Sequence, residues 1–431
     1  MEDAFILVKK TIYLCFKFFL LIFLSIKIIL IIKYNKIKIA IYYETLKNGG
    51  TQRMTSLLIY YISKEKKFDV YLFLNEKLDN EYIIPTNIKR RNFKKGTENL
   101  KKLLIKNHIN IIVYQMYDIN EIRFLNNLEQ IKTIILIHCC FLTWIYLDEF
   151  EFIKNIYNEY KNSKYIVSLI PFENDFLFKK WGINSILINN FITYDYDTIS
   201  PSDLSSKTIL MIGRANDKRK RFSLGIKAME YIIKEIPECE MKIISEKSDI
   251  QNLFDLVETL KLDKNIKFVG YTSNPEIYFK NASLNIIPSS TESFSLVLCE
   301  TKVYGIPNII TGINYVTPAK GGVINVIDDN PKTIAKEAIK ILNDEKYRKQ
   351  LGKEARQSME IFKNSITSKK WIELIMAVYK GEEYYQKLKE KNEMISETEA
   401  MSILNTQLKL LKERNDTFKN LTIDRLFQIL N

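Results

Sequence analysis

Short apolar runs recur along most of the chain, each followed by a polar turn and a stretch with apolar residues three or four positions apart. The runs cover residues 37–42, 69–74, 110–115, 133–138, 165–169 and 185–188, and the pattern resumes at 208–212, 241–244, 265–270 and 284–287. Brief runs of this kind read as buried strands, and the stretches between them as helices packed on a sheet. Strand and helix alternating in this way predict an α/β protein with parallel sheets and helical crossovers. The alternation breaks once, in the polar, turn-rich residues 192–206, which read as a linker. Four regions follow: a hydrophobic amino-terminal helix (1–33), a first α/β domain (34–195), a second α/β domain (196–375), and a crossover helix with a helical tail (376–431). The tail is charged, with Ile403, Leu404, Leu408 and Leu411 at helical spacing.

The amino terminus departs from this pattern. Residues 11–32 are apolar apart from Lys17, Ser25 and Lys27, long enough to span a bilayer. No small-residue cleavage site follows, which favours an uncleaved anchor over a signal peptide. Lys10 and Lys17 fall on one helical face, so a helix lying in the membrane interface is the alternative. If the segment spans, Lys33, Lys36 and Lys38 outweigh the amino flank and keep the rest of the chain cytoplasmic.

Length and composition narrow the class further. A chain of 431 residues with 46% hydrophobic content has room for two or three domains with sizeable cores. The net charge of +13 is spread along the chain. No finger, RNP or basic-helix pattern accompanies it, so nucleic acid is not the expected partner; an anionic membrane or an anionic ligand explains the charge as well. The five cysteines (Cys15, Cys139, Cys140, Cys239 and Cys299) show no metal or redox spacing, and their odd number argues against a disulfide framework.

Candidate chemistry concentrates after the run 284–287. The polar turn beginning Ser289-Ser290-Thr291-Glu292 leads into an apolar stretch, 294–304, that predicts a helix carrying Glu300 about two turns in. On that reading the two carboxylates stand about 12 Å apart and within ~80° around the axis, suited to opposite ends of one elongated ligand. The free amides of Phe294, Ser295 and Leu296 would open the helix as an anion site between them. Hydroxyls at both ends and phosphates in the middle describe a nucleotide sugar. The bare spacing also fits a helix-capping Glu292 and a solvated Glu300.

Residues 292–300, E-S-F-S-L-V-L-C-E, followed by Gly305-Ile306-Pro307, resemble the donor-site signature of glycosyltransferase family 4, commonly E-G-F-P-L-V-L-L-E and then G-x-P. Ser293 stands for the usual Gly and Ser295 for the usual Pro. Further pieces follow the same order. Gly49-Gly50 with Arg53 resembles the G-G-x-x-R opening of the first domain. His138, at the end of a predicted strand, matches a histidine near the reacting sugar. Residues 213–229 resemble G-R-x-x-x-x-K-G with one extra residue, and alignment on Ile226-Lys227-Ala228 places Lys220 at the phosphate-binding lysine. The family's glycine-rich turn is missing between Ile244 and Ile250.

The resemblance implies a GT-B architecture, two Rossmann-like domains facing across a cleft, and a retaining, metal-independent glycosyltransferase. It implies Arg214 and Lys220 on the leaving diphosphate, with Gly50 and the amides of Phe294, Ser295 and Leu296 close to it. Glu300 would hold the ribose hydroxyls, Glu292 the donor sugar, and His138 the neighbourhood of the reacting carbon. The leaving phosphate would accept the acceptor's proton. The implied donor is a UDP- or GDP-sugar, and the implied acceptor a glycan or lipid-linked hydroxyl at a membrane. A catalytically silent scaffold of the same fold that binds glycan or protein is the alternative. The triplet Asp195-Tyr196-Asp197 resembles a metal-holding DxD, but it falls in the linker without strand context and is read as chance.

Overall fold

The computed structural model describes residues 36–430 except Asn48, Ser273 and 391–394. The apolar segment 11–32 therefore lies outside the described residues. Among the described residues no helix is long and apolar enough to cross a membrane.

Among the described residues thirteen strands form two separate sheets, and every strand pair within them is parallel. The first sheet contains β1 (Ile37–Tyr43), β2 (Phe68–Leu74), β3 (Lys89–Asn92), β4 (Ile111–Tyr114), β5 (Lys132–Leu136), β6 (Tyr165–Ser168) and β7 (Ser185–Leu187). Its order is β3-β2-β1-β4-β5-β6-β7. The second contains β8 (Thr208–Ile212), β9 (Glu240–Ile244), β10 (Ile266–Phe268), β11 (Leu284–Ile287), β12 (Asn308–Thr311) and β13 (Val323–Val326), ordered β10-β9-β8-β11-β12-β13. Central strands such as Ile39–Tyr42 and Ile111–Tyr114 are buried at every position, as expected where helices cover both faces of a parallel sheet.

In each sheet the strand order reverses beside the first strand, between β1 and β4 and between β8 and β11. Open α/β sheets bind ligands outside the carboxyl ends of strands at such a reversal. There the first domain presents the turn into α1 (Gly50–Ile62) and Gln115; the second presents Gly213 to Arg221 and Ser289 to Ser295, the latter leading into α2 (Leu296–Val303).

After the second sheet, α3 (Asn364–Lys380) runs back onto the first domain. Its Asn364 side chain exchanges hydrogen bonds with the backbone of Ile192, and the carbonyls of Val378 and Tyr379 accept from Lys132. One apolar cluster runs from β1 through α3 to Phe294, Leu298 and Val303 of the second domain, so the two domains are packed against each other. The tail adds α4 (Glu397–Arg414) and α5 (Ile423–Leu430). Leu404, Leu408 and Leu411 of α4 are buried, whereas Ile403 is only partly covered.

Candidate functional site

The turn after β11 is held by its neighbours rather than by a helix of its own. Ser290 N–H donates to Arg219 O at 2.8 Å, and Thr311 Oγ1 donates to Ser289 O at 3.1 Å. Glu292 N–H donates to the Tyr315 hydroxyl at 3.1 Å. Ser295 adopts a left-handed conformation, φ 60°, and α2 begins only at Leu296. The predicted helix from residue 294 is thus shorter, because the reversal at Ser295 has to be completed first. Glu300 sits about one turn into α2, not two. Of the three amides expected to open an anion site, only Leu296 belongs to the first helical turn; Phe294 and Ser295 precede it. The Phe294 ring is instead buried against Phe362. The free donors of the first turn are those of Leu296, Val297 and Leu298.

Glu292 and Lys220 face one another. Lys220 Nζ donates to Glu292 Oε1 at 2.6 Å, and the same oxygen accepts from Ser289 Oγ at 2.8 Å. The carboxylate is 10% exposed and the ammonium 22%. Lys220 ends a short 3-10 turn whose start is capped by Asp217, which accepts from Arg219 N–H and pairs with the Arg219 guanidinium at 2.7 Å. Arg214 lies at the rim, 70% exposed, and reaches only Asp217 at 3.3 Å. Lys220 is thus the half-buried, paired cation of this loop, whereas Lys218 and Arg214 are exposed.

Glu300 has its partners in the first domain and the linker. Arg53 Nη1 donates to Glu300 Oε1 at 2.9 Å and Thr193 Oγ1 donates to the same oxygen at 2.7 Å. The carboxylate is 7% exposed. Burial works most strongly against the Arg53 charge, but the Glu300 carboxylate together with the Tyr82 and Tyr194 hydroxyls more than offsets it, holding the guanidinium above its ordinary pKa. Arg53 is reached from α1, whose start is close to α2: a Cβ on Gly50 would stand 3.3 Å from Leu296 Cδ1. Gly50 thus belongs where the two helix starts meet, and a larger residue would crowd that approach.

His138 follows β5. Its Nε2 lies 2.9 Å from Gln115 Oε1, which also accepts from Thr55 Oγ1, and its backbone N–H donates to the Tyr117 hydroxyl at 2.8 Å. Part of the residue remains accessible, yet burial of the ring pushes its pKa down to about 3. The imidazole is neutral near pH 7, a hydrogen-bonding group and not a cation. Gln115 Nε2 beside it has no partner, a buried donor left for a further acceptor. Cys140 N–H donates to Ser293 Oγ across the interface at 2.9 Å, and Thr143 Oγ1 to Thr291 Oγ1 at 3.2 Å. His138 and the Glu292 turn thus belong to adjoining loops.

No group of three or more His, Cys, Asp or Glu side chains among the described residues is arranged to hold a metal. In the linker, Asp197 pairs with Lys363 at 2.6 Å and Asp195 accepts from Asp197 N–H, so these carboxylates have local partners. The four described cysteines are free thiols. Thr193 and Tyr315 are site residues that the sequence did not single out. Arg53 stood out only through the G-G-x-x-R resemblance, with no sign that Glu300 is its partner.

Comparison with known proteins adds to this geometry. Residues 195–358 match the family model of Glycosyl transferases group 1. The poly(glycerol-phosphate) alpha-glucosyltransferase of Bacillus subtilis is 26% identical over 181 residues, 40% of this chain and 27% of that protein. Among solved structures, sucrose-phosphate synthase from Thermosynechococcus elongatus superposes with a TM-score of 0.68 at 16% identity, covering 80% of this chain and 100% of that one. The Anabaena protein HepE, in complex with UDP and glucose, gives 0.65 at 13% identity, covering 79% and 100%. The architecture is that of the two-domain GT-B fold. The chain spans between about a fifth and about a third of the length of the curated relatives it matches first.

Proposed function

We propose that this chain, whose residues 195–358 belong to the Glycosyl transferases group 1 family, is a retaining glycosyltransferase that uses a nucleotide diphosphate sugar. The observation that carries the reading is the placement of two cation–carboxylate pairs beside the strand-order reversals, Lys220–Glu292 in the loops after β8 and β11 and Arg53–Glu300 between the starts of α1 and α2. One ligand lying along that line would meet a carboxylate at each end and cations between them.

In this reading the diphosphate takes Lys220 from Glu292, with the first-turn amides of α2 and a swinging Arg214 completing its neutralisation. Pre-aimed donors of this kind stabilise the charge that develops as the glycosidic bond to phosphate breaks. Released from Lys220, Glu292 accepts from hydroxyls of the donor sugar. Glu300 exchanges Arg53 for the ribose hydroxyls. His138, neutral, and the unpartnered Gln115 amide offer hydrogen bonds to the sugar or acceptor. No buried nucleophile with an adjacent base is placed here, which suits a front-side displacement in which the leaving phosphate oxygen takes the acceptor's proton. We read the reaction as needing no metal, since Lys220 and Arg214 supply the positive charge. A donor carrying UDP is favoured by the likeness to HepE, whose complex holds UDP and glucose. A glycan or lipid-linked acceptor near a membrane is favoured by the apolar segment 11–32 and by the poly(glycerol-phosphate) substrate in the name of the Bacillus relative.

Proton NMR of the product tests the reading. Incubation with α-linked UDP- or GDP-sugars, without added metal, is expected to yield an α-linked product on the acceptor. A β-linked product would refute retention. A well-folded protein that transfers nothing from any donor would favour the silent scaffold.

A further inference from the structure

The tail helix α4 ends on the backbone of the turn that carries Glu292. Arg414, its last residue, has a side chain only 4% exposed. Its guanidinium grips Asp329 with two hydrogen bonds, Nε to Oδ2 at 2.9 Å and Nη2 to Oδ1 at 3.1 Å. Its remaining donors go to backbone: Nη1 to Ser290 O at 3.1 Å and Nη2 to Thr311 O at 3.2 Å. A second arginine completes the arrangement from the other side. Arg221, next to Lys220 and itself left-handed, pairs with Asp329 through Nη1 and donates from Nε to Pro288 O at 2.7 Å and from Nη2 to Thr311 Oγ1 at 2.6 Å. With Thr311 Oγ1 on Ser289 O, the carbonyls of Pro288, Ser289 and Ser290 each have a side-chain donor. The turn has no ladder or helix of its own at these positions, so these donors define its path.

The same helix touches the neighbouring turn and the first domain. Gln407 Nε2 donates to Gly312 O at 2.6 Å, and a Cβ on Gly312 would come within 2.3 Å of Leu410 Cδ1. Before α4, Ile395 N–H donates to Asp175 at 3.2 Å. After it, Phe418 packs on Phe150, and Phe427 of α5 on Phe176 and Trp181. The tail is therefore anchored on the first domain at both sides of the segment that grips the second.

We infer that Arg414 is a positioning residue for sugar transfer: through Asp329 and the carbonyls of Ser290 and Thr311, it sets the turn that presents Glu292 and Lys220 to the donor. The inference rests on the glycosyltransferase reading. Arg414 touches neither carboxylate of the site, so its removal acts on the geometry of the turn. A planar fork makes four directed bonds here, which a lysine cannot reproduce. Glu300, on α2, lies outside this arrangement, so the nucleotide end of the site keeps its contacts.

The experiment compares wild type, Arg414→Ala, Arg414→Lys and Asp329→Asn in the full chain, measuring UDP affinity, kcat and KM for the donor, and thermal stability. The expected result for Arg414→Ala is a fall of about 10²-fold in kcat, the scale of a small misplacement of reacting groups, with a smaller loss of UDP affinity, about tenfold or less, since Glu300 keeps its contacts while Lys220 loses its aim at the diphosphate. Arg414→Lys is expected to recover only part of kcat. Asp329→Asn, which leaves Arg414 its carbonyl partners, is expected to fall between wild type and Arg414→Ala, and it decides the matter if Arg414→Ala does not fold. Unchanged kcat in these variants, or kcat and UDP affinity falling together with the folded fraction, overturns the positioning role. A wild type that neither binds UDP nor transfers sugar overturns the glycosyltransferase reading itself, and the role of Arg414 in transfer with it.

Discussion

The two ion pairs of the site are built on opposite plans. Lys220 and Glu292 both come from the second domain, from loops after β8 and β11 that hydrogen-bond each other, so neither partner of the pair is supplied by the first domain. Arg53 and Glu300 come from different domains and meet only because the domains are packed together. One pair is a preformed part of a binding surface, the other a clasp across an interface. On the proposed reading the two pairs have different work: the local pair serves the reacting end of a donor, and the clasp yields Glu300 to the ribose hydroxyls.

Breaking the local pair gives the largest expected effect. Glu292→Ala and Lys220→Ala should each lower kcat by about 10²–10³-fold, the usual cost of removing one preorganised electrostatic group. Glu292→Ala should hardly move the melting temperature, whereas Lys220→Ala should cost about 1–3 kcal/mol of stability by stranding a carboxylate that is 10% exposed. Equal losses in kcat and stability would mean that the pair is structural.

The clasp should respond asymmetrically. Glu300→Ala is expected to weaken nucleotide binding by roughly 10–100-fold, the scale of losing charge-assisted hydrogen bonds. Arg53→Ala is expected to leave nucleotide affinity unchanged or raise it, since the competing cation is gone. It should also cost about 1–3 kcal/mol of stability by stranding a nearly buried carboxylate. In a double-mutant cycle on stability the two sites should couple by about 0.5–3 kcal/mol. An Arg53→Ala variant that binds nucleotide as weakly as Glu300→Ala would show that Arg53 holds the ligand itself.

The smallest expected effect sharpens the account of the interface. Glu173 is buried beside the loop that meets Ser293, and accepts from Phe141 N–H at 2.5 Å. Burial pushes its carboxyl up to about 8. A folded-state pKa raised above the ordinary 4.5 favours the protonated form, so its contribution to stability is complete below about 4.5 and is lost as pH rises through about 8. Glu173→Gln keeps an acceptor for Phe141 and should flatten that part of the stability–pH curve between pH 5 and pH 9. A variant with an unchanged curve would mean that Glu173 has no part in it.

The strands that the sequence made legible are those that carry an apolar run, unbroken where both faces are covered, as in Ile111–Tyr114. β3, Lys89–Asn92, was not legible because it is a largely exposed edge strand with no apolar residue. β12, though buried at every position, and β13 are as long as β4 and β11, but each follows directly on a turn, Gly305-Ile306-Pro307 and Gly321-Gly322, whose punctuation hides the short run after it. Within the site, Glu292, Lys220 and Glu300 are legible through the family resemblance of the segments around them; the choice of Lys220 over Lys218 rests on it alone. The left-handed Ser295 that delays α2 is not, because nothing in a serine announces a positive φ. Nor is the partner of Glu300, 247 positions away in the chain. Arg414 left no local signal at all: its meaning lies wholly in where the tail returns.

Thermal stabilisation of the purified protein by UDP-, GDP- and ADP-sugars without metal tests the central claim most directly, with wild type, Lys220→Ala, Glu300→Ala and Arg53→Ala side by side. The account expects one nucleotide to raise the melting temperature of wild type and Arg53→Ala, with the shift lost in Glu300→Ala and Lys220→Ala. A folded wild type that responds to no nucleotide sugar, or a shift that survives in Glu300→Ala, would contradict it.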